Sequence, residues 1–206
     1  MSALKKMALC AVISTILLSG ETYAQDTTNK FFIEGAIGQS KAEDFCTDIP
    51  SFGAVNCEDS DTSLRVSGGI MLSNTVSLDA SYIDFGDATA SGSGSGVSFN
   101  AVGSASALAL QAAIHAPVGA VSLFAKGGFA YTKVDVRGNI KVGGIFTSLV
   151  ESDSAFKPII TFGLDLPISD KMSFIGQYDR VFKAGDDNTT GETDLSSLSV
   201  GIKVNL

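Results

Sequence analysis

Glu34, Arg65, Asp79, Lys126, Asp165, Asp179 and Lys203 each stand in a stretch that otherwise alternates apolar residues with small or neutral polar ones. In every case the charge, together with Gln111 in its own stretch, falls on the small and polar side of the alternation. Acids and bases confined away from bulk water are cheap to keep only as pairs, so the chemistry expected of this set is mutual neutralisation. Acyl transfer or lipid hydrolysis would instead need a nucleophile, a base and an orienting group within reach of one another. The chain has a single histidine, His115, two residues before Pro117. It is expected as a solvated residue at a strand end, and the chain reads as a non-enzyme.

Cys46 and Cys57 form the other reactive pair, in an acidic stretch with Glu43, Asp44, Asp48, Glu58, Asp59 and Asp61. With Cys10 in an apolar N-terminal run, these two remain as a disulfide of an oxidising compartment. No histidine or third cysteine lies near them, and the carboxylates follow no EF-hand spacing, so neither a metal nor another cofactor is expected. The net charge of −8 argues against nucleic acid as a partner, because no basic stripe is present to neutralise a run of phosphates.

The elements that must position these residues follow from periodicity. Lys5 and Lys6, the apolar run from Met7 to Leu18, and Thr22 and Ala24 at signal-peptidase spacing read as a secretory signal over 1–24, with the remaining domain over 25–206. The signal's apolar core is shorter than the roughly 20 residues of a spanning helix. Beyond it, eight alternating stretches are expected as strands at about 31–39, 62–73, 75–85, 101–116, 120–134, 155–168, 172–182 and 194–206. Short connections at Ser73-Asn74-Thr75, Pro117-Val118-Gly119 and Ser169-Asp170-Lys171 are rich in turn formers. They alternate with four long ones. The second long connection holds the Ser/Gly run Ala90 to Gly96, expected as a flexible recognition segment or an unstructured spacer. The third, about 138–154, holds Gly143-Gly144 among apolar residues, and its strands are candidates to continue as a hairpin.

Alternating long and short connections with apolar-out, polar-in strands describe an eight-stranded antiparallel up-and-down transmembrane β-barrel. Its lipid face takes Ile33, Ile37, Leu64, Val66, Leu108, Leu110, Phe129, Phe162, Leu198, Val200 and Ile202 among others, none of them charged. Tyr82, Phe85, Tyr131, Phe174, Tyr178 and Phe182 are expected at the two interfaces. An eight-stranded bore is barely wide enough for its own side chains, so the charge set reads as a plug, with one or two members expected in water at strand ends. A small low-conductance channel is the alternative, suggested by the inward small residues Gly69, Ala109, Ala113, Gly128, Gly163 and Gly201.

Three stretches resemble the OmpA-like transmembrane domain of small outer-membrane β-barrels: Phe32 to Gln39, Tyr178-Asp179-Arg180 leading into Gly185-Asp186 and Thr190-Gly191-Glu192, and the final strand. Gly201, Val204 and Leu206 are similar to that family's C-terminal assembly signal, with Leu206 where the signal usually ends in Phe. The resemblance implies the outer membrane of a Gram-negative bacterium and contact with its lipid and lipopolysaccharide. It also implies insertion by the barrel assembly machinery, a monomer, and loops available for adhesion or surface recognition.

Overall fold

The computed structural model describes residues 31–46, 54–94, 96–186 and 190–206. The expected signal at 1–24 lies outside these residues. Nine strands are described: β1 (Phe31–Ala42), β2 (Ala54–Glu58), β3 (Ser60–Met71), β4 (Val76–Gly94), β5 (Val97–Val118), β6 (Val121–Val142), β7 (Ile145–Pro167), β8 (Met172–Asp186) and β9 (Gly191–Asn205). Eight of them form a closed antiparallel ring, with β4 pairing β5 and β1 pairing both β3 and β9. Closure leaves the spanning part without a free edge, which a lipid environment demands because nothing there can satisfy an open ladder. Among the described residues no helix is long and apolar enough to cross a membrane, and the crossing belongs to the strands.

Side chains alternate in and out along each strand, and the burial pattern keeps that period. On β1, Phe32, Glu34 and Ala36 are buried while Ile33 and Ile37 are exposed. On β9, Ser197, Ser199 and Lys203 are buried while Leu198 and Val200 are each 66% exposed. Apolar residues therefore face outward and polar ones inward, the reverse of a water-soluble barrel.

The strands run well past the expected boundaries on the side opposite the short turns. β4 continues to Gly94 and pairs β5 up to Gly94↔Val97, so most of the Ser/Gly run is strand and not spacer. Composition misjudged it because a strand paired on both sides needs no apolar side chains of its own. The short strand β2 holds the other side, from Ala54↔Ser93 to Glu58↔Thr89. The third long connection continues β6 and β7 as a hairpin to Val142↔Ile145. Its turn is Gly143-Gly144, with φ of 58° and 93°, the doubly positive backbone that two-residue hairpins favour and that glycine adopts without strain.

By contrast, β7 and β8 pair only from Ile159↔Val181 to Pro167↔Ser173. Above the ring the sheet β2-β4-β5-β6-β7 thus continues as a five-stranded extension on one side.

Candidate functional site

Inside the ring, all seven charged residues singled out by alternation are buried, from Asp179 at 0% exposure to Asp165 at 7%. None of them stands in water, contrary to the expectation for strand ends. The register explains the meeting: Glu34 on β1 faces Lys203 on β9 and Ser67 on β3, and Asp79 on β4 faces Gln111 on β5. Opposite walls then supply the countercharges.

Arg65 reaches from β3 across the bore to Asp179 on β8, Nη1 to Oδ1 at 2.5 Å, and its Nη2 lies 3.5 Å from Asp79 Oδ2. Lys126 on β6 bridges Asp79 at 3.2 Å and Glu34 at 3.4 Å. Neutral groups complete the connection: Arg65 Nη2 donates to Gln111 Oε1, Gln111 Nε2 donates to Thr161 Oγ1, and Thr161 Oγ1 donates to Asp179 Oδ1. Ser67 Oγ donates to Glu34 at 2.8 Å. A separate pair, Lys203 and Asp165 at 3.0 Å, joins β9 to β7.

Rings pack against the cations of both groups. Lys203 Nζ lies 4.7 Å from the Phe32 ring centroid and Lys126 Nζ 5.0 Å from that of Phe124, within cation–π range. Both rings occupy room left by inward glycines. A Cβ built at Gly69 would stand 2.3 Å from the Phe32 ring, and one at Gly163 2.4 Å from the Phe124 ring. Small residues here make space that aromatic rings fill.

Sequence reasoning missed a second interior layer. On the side of the ionic set away from the short turns, Ile83, Phe85, Ala107, Ala130, Ile159, Val181 and Leu195 form one buried apolar cluster. Phe85, expected at an interface, points inward at 4% exposure. These residues come one or two to a strand among small neighbours, too sparse to read as an apolar face. The in-phase signal was nevertheless present: Ile83 lies four positions from Asp79, and Val181 two from Asp179.

Two further acids, Asp194 and Asp61 of the acidic stretch, each fasten an irregularity. A bulge in β8 between Val181 and Ala184 puts Lys183 at φ 55°. Asp194 on β9 accepts from the Lys183 amide and from Arg180 Nη2, both at 2.8 Å. Its slight burial, which favours the neutral acid, is outweighed by the bonds from Arg180 and Lys183, and the Asp194 carboxyl is held below the usual range. A bulge in β4 between Asp84 and Asp87 is held by Asp61, whose Oδ2 accepts from the Asp87 amide at 2.8 Å.

The other residues singled out from the sequence are spread over the barrel. Cys46 and Cys57 are joined in a disulfide that ties the turn after β1 to β2. His115, half-buried, lies 2.9 Å from Ser77 Oγ near the short turns, with its ring against Phe124. Gly201 pairs with Ala36 and Val204 with Ile33, at the seam where β9 meets β1; Leu206 donates its amide to the Phe31 carbonyl. Among the described residues, no group of three or more His, Cys, Asp or Glu side chains is arranged to hold a metal.

This geometry coincides with a match to the family model for the OmpA-like transmembrane domain over residues 26–205. The chain belongs to that family. Its place is therefore the outer membrane of a Gram-negative bacterium, as an eight-stranded barrel in contact with lipid. No curated protein sequence matches it. Among solved structures, the OmpA-like barrel is similar to the outer membrane protein OprG of Pseudomonas aeruginosa. The two are 11% identical with a TM-score of 0.55, over 87% of this chain and 96% of that one. Neisserial surface protein A aligns at 11% identity and a TM-score of 0.48, over 87% and 98% of the chains. Ail, the attachment invasion locus protein of Yersinia pestis, aligns at 10% and 0.47, over 86% and 97%. At such identities the likeness to OprG speaks for the fold alone.

Proposed function

We propose that this chain is a structural, surface-exposed outer-membrane barrel whose bore is closed and whose extracellular strands serve adhesion or surface recognition. The observation that carries this reading is the double interior layer, in which crossed ion pairs join opposite walls and an apolar cluster lies above them. An ion would have to break the first layer and then cross the second without a polar partner. In planar bilayers the barrel is expected to give no steady current, and Lys126→Ala is expected to leave it silent because the apolar layer stays. Current in the unaltered protein would overturn the closed bore.

A small channel is a second reading with its own support. Several buried polar atoms on both sides of the bore have no hydrogen-bond partner among the described residues: Arg65 Nε, Asp79 Oδ1 and Ser81 Oγ on β3 and β4, and both side-chain heteroatoms of Gln177, Ser199 Oγ, Asp165 Oδ1 and Asp179 Oδ2 on β7, β8 and β9. Groups of that kind are commonly satisfied by internal water. If they mark a conducting path, Arg65→Ala should raise conductance severalfold.

The mature chain in this proposal begins near Gln25 after signal cleavage, and Gly201, Val204 and Leu206 present the last strand to the assembly machinery. It acts as a monomer and without catalysis. His115 has a serine beside it, but the pair lies near the short turns, at the opposite end of the barrel from the outer leaflet. Lipid hydrolysis abolished by His115→Ala would refute the non-enzymatic assignment.

A further inference from the structure

The inward side of the five-stranded extension differs from the bore beneath it. Phe45, Ala105 and Val136 pack on the buried apolar cluster and form its upper limit. Above them β5, β6 and β7 stay in unbroken register as far as Val97↔Val142 and Val142↔Ile145. The inward phase therefore carries on through Phe99 on β5, Ile140 and Val142 on β6, and Leu149 and Ile145 on β7. The last four of these are 49–73% exposed. In the ring an opposite wall covers such residues, but among the described residues β7 has no hydrogen-bonded neighbour on its far side beyond Ile159. An apolar sheet face is thus left open over the mouth of the barrel.

Two acids stand on the same side. Asp153 and Glu151 lie opposite Val134 and Val136, in the phase of Leu149, and both are half-buried. Neither carboxylate has a hydrogen-bond or ion-pair partner among the described residues. The nearby bases are already occupied: Lys157 by Glu192 at 3.5 Å, Lys183 by the same acid at 3.3 Å, and Arg180 by Asp194 at 2.8 Å. Lys133, Arg137 and Lys141 share the phase of Phe129 and project from the other face of the sheet. Half-buried acids without a countercharge, at the foot of an exposed apolar face, call for a ligand that is cationic at one end and apolar along its length.

The dimensions of the face select the form of that ligand. From β5 to β7 is two strand spacings, about 10 Å, and an α-helix is about 10–12 Å across. Asp153 and Glu151 are about 7 Å apart along the strand, close to the roughly 6 Å between residues four apart on a helix. The apolar height from Val136 to Val142 is about 20 Å, which about 14 helical residues cover. A strand added at the free edge of β7 would leave the face itself uncovered, and inward charges on an edge strand oppose such addition. Membrane lipid is ruled out by direction, because this side turns to the barrel axis. We infer that the inward side of β5, β6 and β7 above the ring is a docking site for a cationic amphipathic helix of a partner protein. Its apolar stripe would lie on Ile140, Leu149 and Ile145, and a pair of basic residues four apart would meet Glu151 and Asp153. The inference gives a partner to the recognition role proposed above and rests on it.

The test uses the barrel folded in phosphatidylcholine nanodiscs and a fluorescent synthetic peptide of about 14 residues, a leucine stripe ending in two lysines four apart. Companion peptides carry glutamate in place of the lysines, or a central proline that prevents a helix. The lysine peptide is expected to bind about tenfold more tightly than either companion, the effect of one lost charge-assisted contact. Glu151→Gln/Asp153→Asn should erase its preference over the glutamate peptide, while Asp170→Asn at the opposite end of the barrel should retain it. A heat-dependent gel shift verifies that each variant has folded. Bound peptide should also slow maleimide labelling of Leu149→Cys and leave that of Val150→Cys, on the other face, unchanged. Equal binding of either companion, an unchanged preference in the double variant, or no protection of Leu149→Cys would overturn the inference. Labelling by an impermeant maleimide on intact cells separates it from the reading beneath it. Labelled Leu149→Cys without peptide binding refutes the helix site and leaves the recognition surface standing, whereas unlabelled Leu149→Cys removes both.

Discussion

Lys126 shows how far a single residue can be read and where reading stops. Its inward position follows from alternation with Phe129 and Tyr131, but its partners do not, because Glu34 and Asp79 come from strands that neither precede nor follow β6. Only ring closure brings them within 3.4 Å. Removing the ammonium leaves two buried carboxylates short of a countercharge, so Lys126→Ala should cost about 3–5 kcal/mol, measured by urea unfolding in lipid bilayers. Asp194 gives the corresponding case at the rim. Its depressed pKa means that the contribution of the carboxylate is fully present above the unfolded value of about 3.9. It is lost as pH falls through the lower folded value. Hydrogen exchange at the Lys183 amide should accelerate in that acidic window, and Asp194→Asn should shift the onset. Exchange that ignores both would remove Asp194 as the fastener of the bulge.

Elements were legible where their sequence obeyed one period, and obscure where pairing alone made the strand. The membrane-spanning halves were visible because lipid enforces an uninterrupted apolar face. The extracellular halves carry Gly, Ser, Lys and Val without such enforcement, and their strand character comes from neighbours already in place. Two consequences can be measured. Reducing Cys46–Cys57 should free β2, since closing a loop of this size contributes about 3 kcal/mol. Amides of β2 should then exchange faster while the gel mobility of the folded ring stays the same. At Gly163 an added methyl would meet the Phe124 ring and the Gly176 carbonyl oxygen. Gly163→Ala should destabilise by about 1–3 kcal/mol, and Phe124→Leu should recover part of the loss if the ring is the main obstacle.

At the scale of the whole molecule, fold class and the inward charge set followed from sequence, whereas the apolar upper layer did not. Inward side chains are chosen for fit within one narrow bore, so a few large residues among many small ones suffice, and no single strand displays a pattern. Outer-membrane fractions run with and without boiling should show a mobility shift, with the unboiled form migrating as a compact species. Absence of the shift would contradict a closed ring.

The ring closes by pairing β1 with β9, and this has a bearing on time as well as on shape. The last strand of the ring must find the first, and Lys203, the countercharge of Asp165, arrives with it. Contacts of such large sequence separation form slowly. Until they form, the chain exposes two unpaired strand edges and a lone buried acid, the surfaces most prone to join the wrong neighbour. Insertion of this protein should therefore be limited by one late event at the seam, and slow variants should cluster there rather than along the walls.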